Sequence, residues 1–342
     1  MEERAQPSHW TAFRTSPFFP ACVLVILIAA AAGLFAGSYT YAMANPTPRN
    51  IPTAVTGVPP SEVKRAEFIA GMERALGASL QLHHYDSFAA AKGAVEAQKV
   101  FAILDEPVRP GPGATTGAPR LYVSSASGAS VAQLLAETAP RVGSAIGQPV
   151  AVRDITALQK GDPRGLAIFY ISLAAVILGF VGAIQLSVNA RELNPAERIG
   201  FIAAYSLLGG FSIAAVVDWG LGALDLPFAE SWLILAFTLF TSGMVFTMFN
   251  TLVGRWAMLP TWGLMVLLGN PSSGGAVSWP LLPSLLGRIG RWLPPGASVN
   301  AQHTAVYFGG HQHAFPFAVL AGWAALSTAV FVGWRHRHPG GR

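Results

Sequence analysis

The sequence predicts a polytopic α-helical membrane protein. It has six transmembrane helices, a broken or re-entrant segment after the fifth, and a small extracytoplasmic α/β domain between the first and second spans. Three observations predict this class. Charged residues make up 11% of the 342 residues and hydrophobic ones 52%, where soluble domains carry about 25% charge; the mean hydropathy is +0.45. Apolar runs recur at the length of about 20 residues that a helix needs to cross a hydrocarbon core of about 30 Å. Charge is also unevenly placed. Residues 45–165 hold 22 charged residues, including all four lysines (Lys64, Lys92, Lys99 and Lys160), and the longer stretch 166–334 holds ten. One water-facing domain (45–165) and one membrane domain (166–334) follow from that division.

The first span is expected at Phe18–Tyr41, after an N-terminal segment 1–17 and inside a charge-free stretch from Thr15 to Pro48. Ala42-Met43-Ala44 matches the A-x-A cleavage pattern of a signal peptide, but the apolar run exceeds the usual h-region of about 7–15 residues. Gly33-x-x-x-Gly37, with Ala29 nearby, adds a small-residue stripe suited to close helix packing. The run is therefore read as a retained span. Cys22 within it is the only cysteine, which rules out an intrachain disulfide or a cysteine metal cluster.

Residues 50–155 alternate between strand-like and helix-like patterns, which argues for a small α/β domain. Strands are expected at Ile51–Val58, Ser79–His83, Val100–Leu104, Leu121–Ser124 and Val150–Asp154. Helices lie between them: one capped by Ser61 after Pro59-Pro60 and ending at Gly77, one capped by Asp86 and running to Gln98, and one at Ala129–Val142. A Pro/Gly loop spans Pro107–Pro119. No HExxH, GxSxG or Walker A motif is present, so a binding or docking module is expected rather than an enzyme. His83-His84 point to opposite faces of a strand and cannot jointly hold one ion.

The second, third and fourth spans are expected at Leu166–Val188, Ile199–Gly222 and Ser231–Val253. The fifth lies in Trp256–Gly287, a stretch without Asp, Glu, Lys or Arg. Only Trp256–Leu268 reads as a continuous helix, too short to cross at about 1.5 Å per residue. It runs into the Gly/Pro/Ser tract Gly269–Pro283, which opens a re-entrant segment 269–314. Broken backbone at membrane depth is tolerated only where protein buries it or a cavity receives it. Asn270, Pro271, Ser272, Ser273, Gly274 and Gly275 are therefore candidate pathway residues, their polar groups satisfying freed backbone. Ser284–Trp292 sets Leu285, Leu286, Ile289 and Trp292 against Arg288 and Arg291, the pattern of an interfacial amphipathic helix. Its arginines would anchor in headgroups, or meet the phosphate of a lipid-like substrate. The last span is Phe315–Trp334, followed by a tail 335–342.

Charge sets the orientation. Arg4, Arg14, Arg191, Arg198, Arg255, Arg335, Arg337 and Arg342 fall on one side, and the loop Ala223–Glu230 opposite has no Lys or Arg. Both termini are expected in the cytoplasm of a plasma-membrane protein, with 45–165 outside. The net charge of +5 reflects these flanks and shows no basic stripe with interleaved aromatics, so nucleic acid is not an expected partner.

Asp218 is the one acid inside an apolar span, near its outer end beside Trp219. It reads either as an interfacial carboxylate or as a proton-coupling or span-locking group. His303, His311 and His313 cluster without a neighbouring carboxylate or cysteine in the sequence, and no metal site is expected. Ser272-Ser273 with His303 do not suggest a serine hydrolase, because surrounding Gly and Pro preclude a rigid catalytic helix.

Several stretches carry a likeness to a known family: LYVSSASGASVAQLL (121–135), GDPRGLAIFY (161–170), LLGNPSSGGAVSWPLLPSLLGRIGRWLPPGASVNA (267–301) and VYFGG (306–310). In order and spacing the chain resembles the ABC type-2 exporter permeases of the YhgE / phage-infection-protein and nitrosoguanidine-resistance group, in their actinobacterial form. That resemblance implies a homodimeric transmembrane subunit, in contact with membrane lipid, that exports a hydrophobic or amphiphilic compound. A separate cytoplasmic ATPase would use the ATP; no cofactor or catalytic residue is expected on this chain. The coupling element would be the turn Asn189–Arg198, with Asn189, Arg191, Glu192, Asn194, Glu197 and Arg198. Asn194 can cap a helix opening at Pro195, with Glu197 in its first turn. The same turn fits an ordinary charged loop that orients the spans. Two further classes remain: a non-transporting envelope scaffold whose external domain binds a partner, and a proton-coupled carrier relying on Asp218.

Overall fold

A computed structural model describes residues 9–16, 18–44, 46–57, 62–105 and 120–338. The expected Ser61 cap, the Pro59-Pro60 stop and the 107–119 loop lie outside these residues, as do Arg4 and Arg342.

A short helix α1 (His9–Thr15) leads into α2 (Phe18–Met43). The α/β domain then runs β1 (Ile51–Thr56), α3 (Glu62–Leu76), β2 (Leu80–His84), α4 (Phe88–Glu96), β3 (Ala102–Asp105), β4 (Arg120–Val123), α5 (Ala129–Ala145) and β5 (Ala151–Asp154). These match the sequence pattern to within a few residues. The cap of α4 is Ser87 rather than Asp86: its side chain accepts from the Ala90 amide at 3.2 Å. The five strands form one mixed sheet in the order β2-β1-β3-β4-β5, with only the β3–β4 pair antiparallel.

Alternation along the strands divides the sheet's apolar residues between two layers. Ala54, Ile103 and Tyr122 pack with Ala91, Ala94 and Val95 of α4. Ile51, Ala102, Leu104, Leu121 and Val123 pack with Phe68 and Met72 of α3 and Val131, Leu135 and Val142 of α5. That second layer does not close on itself. Val277, Leu281, Leu282 and Leu286, far along the chain, belong to the same buried cluster.

The helical domain contains α6 (Ala167–Asn189), α7 (Pro195–Ala215, continued as a π-helix Val216–Gly220) and α8 (Phe228–Val253, with a 3-10 turn Gly254–Trp256). Next come α9 (Met258–Trp262, continued as a π-helix Gly263–Gly269), α10 (Ser284–Ile289), α11 (Pro294–Tyr307) and α12 (Ala314–Arg337). Among the described residues, five helices are long and apolar enough to cross a membrane: α2, α6, α7 with its π extension, α8 with its 3-10 turn, and α12. The fifth apolar run gives five residues of α-helix and seven of π-helix, short of the ~30 Å of a hydrocarbon core at about 1.5 Å per residue.

Contacts fix the directions. The Gly243 Cα lies against Ile202 and the Gly210 Cα against the Ala236 backbone, so α7 and α8 are antiparallel. Ser242 Oγ donates to the Val176 carbonyl, and Ile171 clusters with Leu235 and Leu239, so α6 and α8 run the same way. Gln312 Nε2 donates to Glu230 Oε1, Phe317 joins the cluster around Ile234, and Thr241 Oγ1 donates to the Leu320 carbonyl. Thus α12 starts beside the start of α8 and runs parallel to it. The chain between them, residues 257–313, must return from the far end of α8 to the near one.

Local signals set the boundaries. Asp162 is buried and accepts from the Leu166 and Ala167 amides, fixing the start of α6. Asn194 and Glu197 form a reciprocal capping box with Pro195 at the first turn of α7. Asn194→Ala is expected to cost about 1 kcal/mol and Asn194→Ser much less, read as unfolding midpoints in mild detergent.

Candidate functional site

Where the α/β domain meets the broken segment, a cleft of about 950 Å³ opens, at the upper end of the roughly 300–1,000 Å³ of small-molecule sites. One wall is the α4–β3 turn and the Ser125–Ser130 loop; the other is the 274–280 tract with α10 and α11.

Of the break residues, Asn270, Pro271, Ser272 and Ser273 are buried, and Gly274 and Gly275 line the cleft. Asn270 Nδ2 donates to the Tyr39 hydroxyl of α2 at 2.7 Å, and Ser38 Oγ of the same helix donates to the Leu267 carbonyl at 2.5 Å. Ser272 Oγ donates back to the Leu268 carbonyl, and Trp279 Nε1–H donates to the Ser272 carbonyl. Bonds from α2 and from within the tract thus satisfy the carbonyls of Leu267, Leu268 and Ser272, as expected at a helix break. Gly274 has φ 81° and lies under the Trp279 ring, a position that favours glycine on both counts.

The two domains are joined by side chains. Ser278 N–H donates to Ser130 Oγ at 3.1 Å, and the two hydroxyls are 3.0 Å apart. The Arg49 amide donates to the Pro280 carbonyl. Gln98, at φ 55°, donates through Nε2 to Thr304 Oγ1 at 2.6 Å and accepts at Oε1 from Asn300. Helix α11 was not legible beforehand. Its buried Ser298, Gln302 and Thr304 would read as a surface pattern, yet Ser298 accepts from Thr238 and Gln302 donates to the Ser231 carbonyl.

Arg288 and Arg291 line the cleft, with the Arg291 guanidinium 5.0 Å above the Trp279 ring. Trp292 sits at the rim against Phe315. The amphipathic stretch is thus α10 followed by a 3-10 turn, its arginines facing the cleft. Arg49, Lys99 and Arg164 converge on the same space from the α/β side; they carried no motif and are separated by up to 115 positions. No described Asp or Glu lines the cleft.

His303 lines the cleft too, donating through Nδ1 to the Ala126 carbonyl at 3.0 Å. His311 lies 3.8 Å from Glu96, and among the described residues no three His, Cys, Asp or Glu side chains group as a metal site.

The remaining candidates lie elsewhere. Asn189 ends α6, donating to the Gln185 carbonyl; Arg191, Glu192, Asn194 and Glu197 are exposed in or beside a five-residue turn. Arg198 is buried and donates to the Ala190 carbonyl at 3.3 Å. The helix that Asn194 caps is α7 itself, so the turn holds no separate helix. Asp218 is half-buried in the π-helical end of α7, near the stacked Trp219–Phe228 pair, and its carboxylate bonds no described side chain. In comparisons with known proteins, no family model, curated protein or solved structure matches the chain.

Proposed function

We propose that this chain is the transmembrane subunit of an ABC type-2-like exporter, resident in the plasma membrane with both termini in the cytoplasm. In this role it moves an amphiphilic compound outward, energised by a separate ATPase. The observation that carries it is the cleft, formed where a broken, polar-lined segment meets a water-facing domain. The parallel course of α8 and α12 supports a sixth pass through residues 257–313, made partly by irregular backbone that protein buries. Such a pass keeps the α/β domain outside when the arginine-rich flanks are inside. The exposed turn around Arg191 and Glu192 is then the cytoplasmic surface available to an ATPase.

A scaffold reading, in which the α/β domain alone captures a partner, is disfavoured because that domain completes its core with the broken segment. The test is affinity purification of the tagged full chain in mild detergent, followed by mass spectrometry and an ATP-hydrolysis assay. A stoichiometric nucleotide-binding subunit with ATPase activity is expected. A clean preparation without one would overturn the exporter assignment and make Asp218→Asn the next variant to assay for proton-coupled transport.

A further inference from the structure

The cleft has a one-sided chemistry. Arg49, Lys99, Arg164, Arg288 and Arg291 line it, and no described carboxylate does. Among the described residues, none of the five is within ion-pair distance of an Asp or Glu, whereas Lys92 and His311 both approach Glu96. Folding brings these cations from four separate segments to one space, and each adds to a positive potential that a low-dielectric wall focuses. An anion entering the cleft meets five cationic donors, four of them guanidinium forks that match phosphate or carboxylate geometry.

The rest of the lining mixes neutral polar groups such as Gln98, Ser130 and Asn300 with a set of apolar side chains. Phe101, Trp279, Leu282 and Val299 form the interior, and Phe315 packs against Trp292 at the rim. Leu285 and Trp292 stand 67% and 64% exposed beside this rim, an apolar lip next to α12. A small inorganic anion would use the cations and leave those rings unused. A neutral or cationic amphiphile would use the rings and leave five cations unpaired.

We infer that the cleft binds an anionic amphiphile: a phosphate- or carboxylate-bearing headgroup among Arg288, Arg291, Lys99 and Arg164, with its apolar part against Phe101, Leu282 and the Trp292–Phe315 lip. This deepens the export assignment and rests on it only for the direction of movement; the binding itself is independent of transport.

The test is native mass spectrometry of the full chain in neutral detergent. It is titrated with phosphatidylglycerol, with phosphatidylcholine of the same acyl chains, and with inorganic phosphate as competitor. Phosphatidylglycerol is expected to bind at least about tenfold more tightly than phosphatidylcholine, as one charge-assisted bond is worth about 1.5–3 kcal/mol and 1.4 kcal/mol is tenfold. The preference is expected to shrink with added salt, because the cations are partly exposed. R288Q/R291Q should lose it and R288K/R291K keep most of it. Should R288Q/R291Q fail to fold, K99Q/R164Q makes the same test from exposed positions on the opposite wall.

Equal affinity for the two lipids, or unchanged preference in a folded charge-removed variant, would overturn the inference. Displacement of phosphatidylglycerol by phosphate at matched concentration would overturn it as well, by marking a small-anion site. Failure of the exporter assignment looks different: selective binding persists, but no ATPase co-purifies and no labelled phosphatidylglycerol leaves loaded vesicles.

Discussion

Gly290→Val is expected to leave no folded protein. The Gly290 Cα lies directly against the Ser272 carbonyl, so a Cβ there would overlap backbone oxygen and carbon, and Gly296 stands in the same relation to the Gly290 carbonyl. Both obstacles are main chain, which cannot rotate away as a side chain would. The φ of Gly290 is −55°, open to any residue, so the effect is steric and not conformational. Overpacking side chain against side chain costs about 1–3 kcal/mol. A clash between backbones must displace the break itself, in a fold whose total margin is about 5–15 kcal/mol. Size-exclusion chromatography of a fluorescently tagged variant reads this as loss of the monodisperse peak. Gly263→Ala, with open space at its Cβ, is the matched control. A monodisperse Gly290→Val would mean that the break is not packed against α10.

The second large effect is a reversible arrest. In a Cys22→Ser background, Ser130→Cys with Ser278→Cys replaces two hydroxyls 3.0 Å apart, one on the α/β domain and one on the broken segment. The two Oγ positions, which sulfurs would replace, are close enough for small rotamer shifts to bring them to the S–S bond length of about 2.05 Å. If the cleft releases its ligand outward by parting these walls, oxidation should drop export to background and reductant should restore it. Each single cysteine variant should export normally under the same oxidant. Full cross-linking with undiminished export would show that the two walls travel together during turnover.

Much of the fold was legible because hydropathy over a whole span averages out local accidents. The long apolar helices begin within a few residues of where their runs predict, and the tract after Leu268 broke where its Gly and Pro residues said it must. The α/β elements followed their alternation for the same reason. Single-residue chemistry was less legible: Asp86 and Ser87 are both good caps, and only geometry chose the serine. Helix α11 was hidden because its polar residues are satisfied by Gln98, Ser231 and Thr238, partners that no local window contains. The cleft was half visible. Arg288 and Arg291 stood out as a pair, but Arg49, Lys99 and Arg164 look like ordinary solvated charges until the chain folds them onto the same space.

The apolar layer that the sheet shares with Val277–Leu286 also imposes a schedule. The last strand ends at Asp154, and the residues that complete this cluster beside α5 are made about 120 positions later. At ribosomal rates of about 5–20 residues per second, roughly 6–25 s separate the two events. During that interval every strand exists while part of the apolar layer beside α5 waits uncovered. A polypeptide released early, before Leu286, would therefore display a sticky surface, and a protease that surveys such surfaces could distinguish it from the finished molecule. Completion of the last third of the chain is what seals the first.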